Sequence, residues 1–153
     1  MKHTIAGLVA ATVLGLAAPF AQAQGAAASQ PTVEVWRSPY CGCCGEWVKH
    51  LEKSGFKVKV NMVEDASVIR RAAGIPDKLG SCHTAKVNGY ALEGHVPASD
   101  IRRLLAEKPK AVGLSVPGMP QGSPGMEQGR GKDPFDTVLV KNDGTTAVFQ
   151  SHR

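Results

Sequence analysis

Val33 and Val35 alternate with polar neighbours in "TVEVWRS", which predicts a half-buried strand. The stretch "YCGCCG" at 40–45 interrupts it, and in "GEWVKHLEKSGF" Trp47, Val48 and Leu51 follow at helical spacing up to Gly55, a helix stop. Alternation returns in "KVKVNMV", predicting a second strand with Met62 in the core. "DASVIRRAAGIP" predicts a short helix capped by Asp65 or Ser67 and stopped at Gly74 and Pro76. "TAKVNGYALEGHV" predicts two strands joined by the hairpin turn Asn88-Gly89, and "PASDIRRLLAEKP" a helix capped by Ser99 that buries Ile101, Leu104 and Leu105.

The resulting order is strand, helix, strand, helix, strand, strand, helix. It predicts an α/β class, specifically a thioredoxin-like domain over 32–108, although other small α/β sandwiches share the order. Residues 24–31 are small and polar and read as a flexible lead-in. Residues 109–134 are rich in Gly and Pro, a composition expected to sustain neither a helix nor a central strand. A loop of that length in a compact domain is functional or disordered. Two β-rich runs flank Asn142-Asp143-Gly144, so 109–153 reads as a C-terminal extension ending in a β-hairpin.

The leader narrows the setting. Lys2 and His3 precede the uncharged run 5–20 and the small-residue stretch "AQA" at 21–23, the form of a secretory signal peptide, and the run is short for a membrane anchor. Cleavage after Ala23 leaves 130 of the 153 residues, enough for one domain, and lowers the net charge from +5 to +4 by removing only Lys2. The expectation is an exported, periplasmic monomer with no stable membrane insertion after cleavage. Its basic residues are scattered without interleaved aromatics, which argues against nucleic acid. An oxidising compartment permits disulfides, so structural pairing of cysteines stays open.

The chemistry concentrates at Cys41, Cys43 and Cys44. Cys41 and Cys44 form a C-x-x-C after a strand and at a helix start, where backbone N–H groups and the helix dipole favour thiolate. That pattern suits thiol–disulfide exchange with Cys41 as nucleophile and Cys44 as resolving thiol. Cys43 is superfluous to such an enzyme, whereas adjacent thiolates suit cuprous copper or zinc. The strand pattern places Cys82 and His83, in "SCHT", at the loop facing the C-x-x-C, with His95 at the end of the next strand. Met119 and Met126, in "VPGMPQGSPGME", are either soft thioether ligands or hydrophobic latches. Met62, His50 and His152 are expected to take no part, the two histidines being solvated.

Together "YCGCCGEWVKHL", "GSCHTAKVNGYALEGHVP" and "VGLSVPGMPQGSPGME" resemble the CopG-like periplasmic copper-resistance proteins, a family recognised by its C-x-C-C motif. The resemblance spans essentially all of the mature chain. It implies a thioredoxin-like domain whose C-terminal extension helps bind copper. It also implies a copper-dependent oxidoreductase, accompanying efflux or chaperone proteins, that interconverts cuprous and cupric ions. Carried over, Cys41, Cys43 and Cys44 are thiolates of a site holding one or more copper ions, a thiolate-bridged cluster being one form of it. Cys82 and His83 face them, and His95, Met119 and Met126 complete the ligand set. The alternatives are a copper chaperone or buffer without redox turnover, a metal-free exchanger using Cys41 and Cys44, and a structural zinc site at Cys41, Cys44, Cys82 and His83.

Overall fold

The computed structural model describes residues 31–127 and 131–153, so the expected signal peptide and nearly all of the lead-in lie outside the described residues. The chain runs β1 (Val33–Arg37), α1 (Gly42–Lys53), β2 (Val58–Met62), α2 (Ser67–Ala72), β3 (His83–Val87), β4 (Tyr90–Glu93), α3 (Ala98–Glu107), β5 (Gly113–Ser115), β6 (Phe135–Val140) and β7 (Thr146–His152). One turn of 3-10 helix at Asp77–Leu79 precedes β3. The strands form one mixed sheet in the order β2-β1-β3-β4-β5-β6-β7. β1 is parallel to β2 and antiparallel to β3; β4 is parallel to β5, and the remaining neighbours are antiparallel. The α/β class and the expected order of the first seven elements are both observed.

Side-chain alternation divides the core between the two faces of this sheet. Leu92 joins Val33, Val35, Ala85 and Leu114 beneath Trp47, Val48 and Leu51 of α1 and Ile101 and Leu104 of α3. Its neighbour Ala91 points the other way, to a smaller cluster with Ile75, Leu79 and Val140. α1 stops where Gly55 takes a φ of +85°, which lets the Phe56 N–H reach back to the Leu51 carbonyl at 3.0 Å. This is the glycine-terminated helix end expected from the sequence. Asn88 and Gly89 take φ values of +48° and +87° and close the β3–β4 hairpin with Val87 opposite Tyr90.

Several expectations need correction. Residues 109–134 do hold a central strand: β5 lies between β4 and β6, because a three-residue segment needs little propensity and Gly113 allows the chain to press against β4. A Cβ at Gly113 would stand 1.8 Å from the Ala91 carbonyl oxygen. Met62 is 56% exposed, since β2 is an edge strand and pairs on one side only. The N-cap of α3 is Pro97, and His50 accepts the free Ala98 N–H at 3.1 Å, so His50 is half-buried and bonded. His152 likewise stacks on Phe135 and bonds Asp100 Oδ2 at 3.0 Å.

That last contact fastens the end of the chain to α3. Thr137 Oγ1 donates to the same Asp100 oxygen at 2.7 Å, while Arg103 donates to the Phe149 carbonyl at 2.9 Å. Both ends of the Gly/Pro-rich loop are therefore anchored, β5 at one side and β6 at the other. Gly113→Ala is expected to force β5 off β4 and lower unfolding free energy by about 1–3 kcal/mol. An unchanged midpoint in chemical denaturation would show that the close approach is not needed.

Candidate metal centre

Arg37, the last residue of β1, pairs with His83, the first of β3. Because the two strands are antiparallel neighbours, the chain leaving Arg37 and the chain entering His83 meet at one end of the sheet. The turn into α1 is held there by Arg37 Nη1, which donates to the carbonyls of Ser38 at 3.1 Å and Cys41 at 3.0 Å. Cys41 is the N-cap of α1, its sulfur accepting the Cys44 N–H at 3.4 Å. The sulfur thus sits among the amides and positive dipole end that stabilise a thiolate.

Four sulfurs converge at this junction. Cys41 and Cys44 are joined as a disulfide, and Cys43 and Cys82 are free thiols. Cys43 Sγ lies 3.5 Å from Cys41 Sγ and 4.0 Å from Cys82 Sγ. All four lie within 4.8 Å of one another. Cys44 is buried against the Cys82 carbonyl, whereas the other three are half-buried and Tyr40 beside them is 95% exposed.

Cys82 belongs to a second group as well. Its sulfur is 3.4 Å from His83 Nδ1 and 3.1 Å from His95 Nε2, and these three donor atoms also lie within 4.8 Å of one another. Both rings are fully buried, His83 lying 4.3 Å from the Trp47 ring and 5.0 Å from His95. Burial pushes the His83 imidazole down to about 3, with the neighbouring His95 adding to the effect. Burial also lowers His95, against the Pro124 carbonyl that pulls it up. Both are neutral near pH 7, the form in which imidazole ligates a metal.

The tautomer of His95 follows from its partner. Pro124 offers only a carbonyl oxygen, 2.8 Å from His95 Nδ1, so Nδ1 carries the proton and Nε2 presents a lone pair toward Cys82. Burial pushes the Cys82 thiol up to about 12, and Cys43 beside it adds to the rise. A thiol so placed loses its proton readily only where a cation offsets the buried charge. His83 Nε2 is buried without a hydrogen-bond partner. Soft sulfurs and neutral imidazoles around unsatisfied buried polarity fit a thiophilic metal such as copper.

The Gly/Pro-rich loop closes over this group at two points. Ser81, next to Cys82, donates its hydroxyl to the Gly118 carbonyl, and the Gly118 N–H returns to Gly80 at 3.1 Å. Further along, a Cβ at Gly125 would come 2.7 Å from the Trp47 nitrogen and 2.8 Å from the Cys43 carbonyl, so only glycine lets the loop lie on α1 here. Met126 follows directly in this turn and is half-buried. Met119 follows Gly118 and is 53% exposed, which is incompatible with a packed hydrophobic latch. The six Cys and His candidates thus come together, and both methionines sit on segments fastened beside them.

Sequence reasoning passed over Arg37, Glu93, Pro124 and Gly125. Glu93 is fully buried and accepts from the Ser81 N–H and the Thr84 hydroxyl, both at 2.7 Å. Burial raises its carboxyl pKa, against the lowering effects of Thr84, Ser81 and Arg70. The turn Asn88-Gly89 held the missing signal, since a two-residue hairpin that pairs 87 with 90 also pairs 84 with 93.

A family described as a protein of unknown function, DUF411, matches residues 79–126. Two solved structures of a copper resistance protein, copG, are similar to the chain. Its Form 2 is 43% identical with a TM-score of 0.77, the match covering 81% of this chain and 99% of that one. Its Form 1 is also 43% identical, with a TM-score of 0.75, covering 80% and 98% respectively. No curated protein sequence is a significant match.

The sulfur arrangement gives a direct expectation. Alkylation of the folded, unreduced chain should label Cys43 and Cys82 and leave Cys41 and Cys44 unlabelled, whereas prior reduction should open all four. Peptide mass spectrometry reads the pattern; a Cys43–Cys82 disulfide with free Cys41 and Cys44 would contradict it.

Proposed function

The chain belongs to the CopG family of copper resistance proteins, and we propose that it binds copper through Cys41, Cys43, Cys44, Cys82, His83 and His95. The observation that carries this reading is the sharing of Cys82 between a four-sulfur group and a two-imidazole group. Thiolates favour cuprous copper and imidazole also tolerates cupric, so the two groups meeting at one sulfur support a copper oxidoreductase that interconverts the two states. Bound copper would supply the one-electron chemistry. The protein's own part is to present reduced sulfurs, hold His95 in the tautomer with Nε2 free, and wall the site with Trp47 and the loop.

Met126 is the stronger methionine candidate, because its turn is pinned on α1 by Gly125, while Met119 on its exposed bend suits the capture of ions from solvent. The extension 109–153 contributes through Pro124 and Gly125 as much as through side chains. The setting we propose is the periplasm, reached through the signal peptide at 1–23, where the protein acts as a monomer alongside copper efflux or chaperone proteins. No helix among the described residues is long and apolar enough to cross a membrane.

The Cys41–Cys44 disulfide favours a second reading, a thiol–disulfide exchanger without metal. Loading needs those two sulfurs reduced, a step that takes two electrons and two protons. The readings separate on Cys43. Copper analysis of reduced, anaerobically loaded protein is expected to give at least one ion per chain, and Cys43→Ser to weaken cuprous binding by about tenfold or more. Met126→Leu should weaken it more than Met119→Leu. A copper-free chain whose disulfide exchange survives Cys43→Ser would establish the exchanger instead. Voltammetry of the loaded protein should show a reversible couple, and tight binding without one would make it a chaperone or buffer.

A further inference from the structure

Cys82 sits in a short segment between the 3-10 turn and β3, and His83 is the first residue of β3, so neither is held by a helix. Their flanks are held from one point. Glu93 Oε1 accepts the N–H of Ser81, the residue before Cys82, and Oε2 accepts the hydroxyl of Thr84, the residue after His83, each at 2.7 Å. The carbonyl of His83 is taken by the Gly94 N–H at 3.0 Å. A Cβ at Gly94 would strike Ser81 at 2.6 Å, so the segment lies directly on the β4 end.

Glu93 is fully buried, and Arg70 Nη1 approaches to 3.7 Å while its other arm is engaged by Asp77 at 2.7 Å. A buried carboxylate is costly, and a fold that needed only bulk here would be better served by an apolar side chain. The two oxygens instead grip both ends of the Cys82-His83 pair.

We infer that Glu93 is a positioning residue for copper binding, clamping Ser81 and Thr84 so that Cys82 Sγ and His83 Nδ1 face the other sulfurs and His95. Its hydrogen bonds go to Ser81 and Thr84 and to neither candidate ligand side chain, so it acts through the backbone and Thr84. The inference rests on the copper reading above for its consequence, but the clamp itself can be read without metal.

The test uses the full mature chain, reduced and copper-free, and then loaded anaerobically with cuprous ion. Glu93→Ala should raise the rate of Cys82 alkylation by iodoacetamide about tenfold while Cys43 changes less than twofold. It should also weaken cuprous binding by about tenfold, the size of effect typical for groups that orient metal ligands. Glu93→Gln should rescue both to within about threefold, because its oxygen can still accept from Ser81 and its amide can donate to the rotatable Thr84 hydroxyl. Glu93→Ala that lowers the melting temperature but leaves Cys82 alkylation and copper affinity within twofold of wild type would overturn the inference. Should that variant not fold, Thr84→Val removes one arm at nearly constant volume and decides the matter: faster Cys82 alkylation supports the clamp, an unchanged rate refutes it. A wild-type chain that binds no cuprous ion would defeat the copper reading, while the alkylation comparison would still judge the clamp.

Discussion

The antiparallel pairing of β1 with β3, with Arg37 opposite His83, is the constraint on which the site depends. Cys43 and Cys82 are 39 positions apart in the chain, yet their sulfurs stand 4.0 Å apart. No local preference could bring them together. The pairing does so because it ends both strands at one edge of the sheet, and the buried valines Val33 and Val35 fix its register. A slip of one residue would turn those valines outward and carry His83 to the other face. Core packing and the geometry of the sulfur–imidazole cluster are thus set by the same ladder of hydrogen bonds.

A second layer of constraint comes from the far side of the sheet. β5 and β6 pair with each other and hold the Gly/Pro-rich loop between them, while Asp100, Thr137 and His152 tie the last two strands to α3. The loop can therefore be irregular without being free. It reaches back to the site through its backbone, the Pro124 carbonyl on His95 and Gly125 against α1. Building contacts from main chain suits a segment rich in Gly and Pro. It leaves the thioethers of Met119 and Met126 as its available soft donors.

Much of this was legible in the sequence. The placement of C-x-C-C between strand and helix, the Asn88-Gly89 hairpin and the buried faces of α1 and α3 follow from spacing and turn chemistry that act locally. So does the approach of Cys82 and His83, once the element order is accepted. The failures share a cause in tertiary context. Met62 alternates as a core residue but lies on an edge strand, and β5 is too short and Gly-led to announce itself. His50 and His152 look solvated because their partners, the Ala98 amide and Asp100, are distant in the chain. Glu93 was hidden by its charge, which reads as surface until the hairpin register sets it opposite Thr84.

On the proposed reading, sulfur and imidazole act on copper together. Copper X-ray absorption on the anaerobically loaded, reduced protein tests it most directly. Sulfur scatterers are expected in the first coordination sphere, with an imidazole contribution that diminishes in His95→Ala. A sphere of oxygen and nitrogen alone, unchanged when the cysteines are replaced, would contradict it.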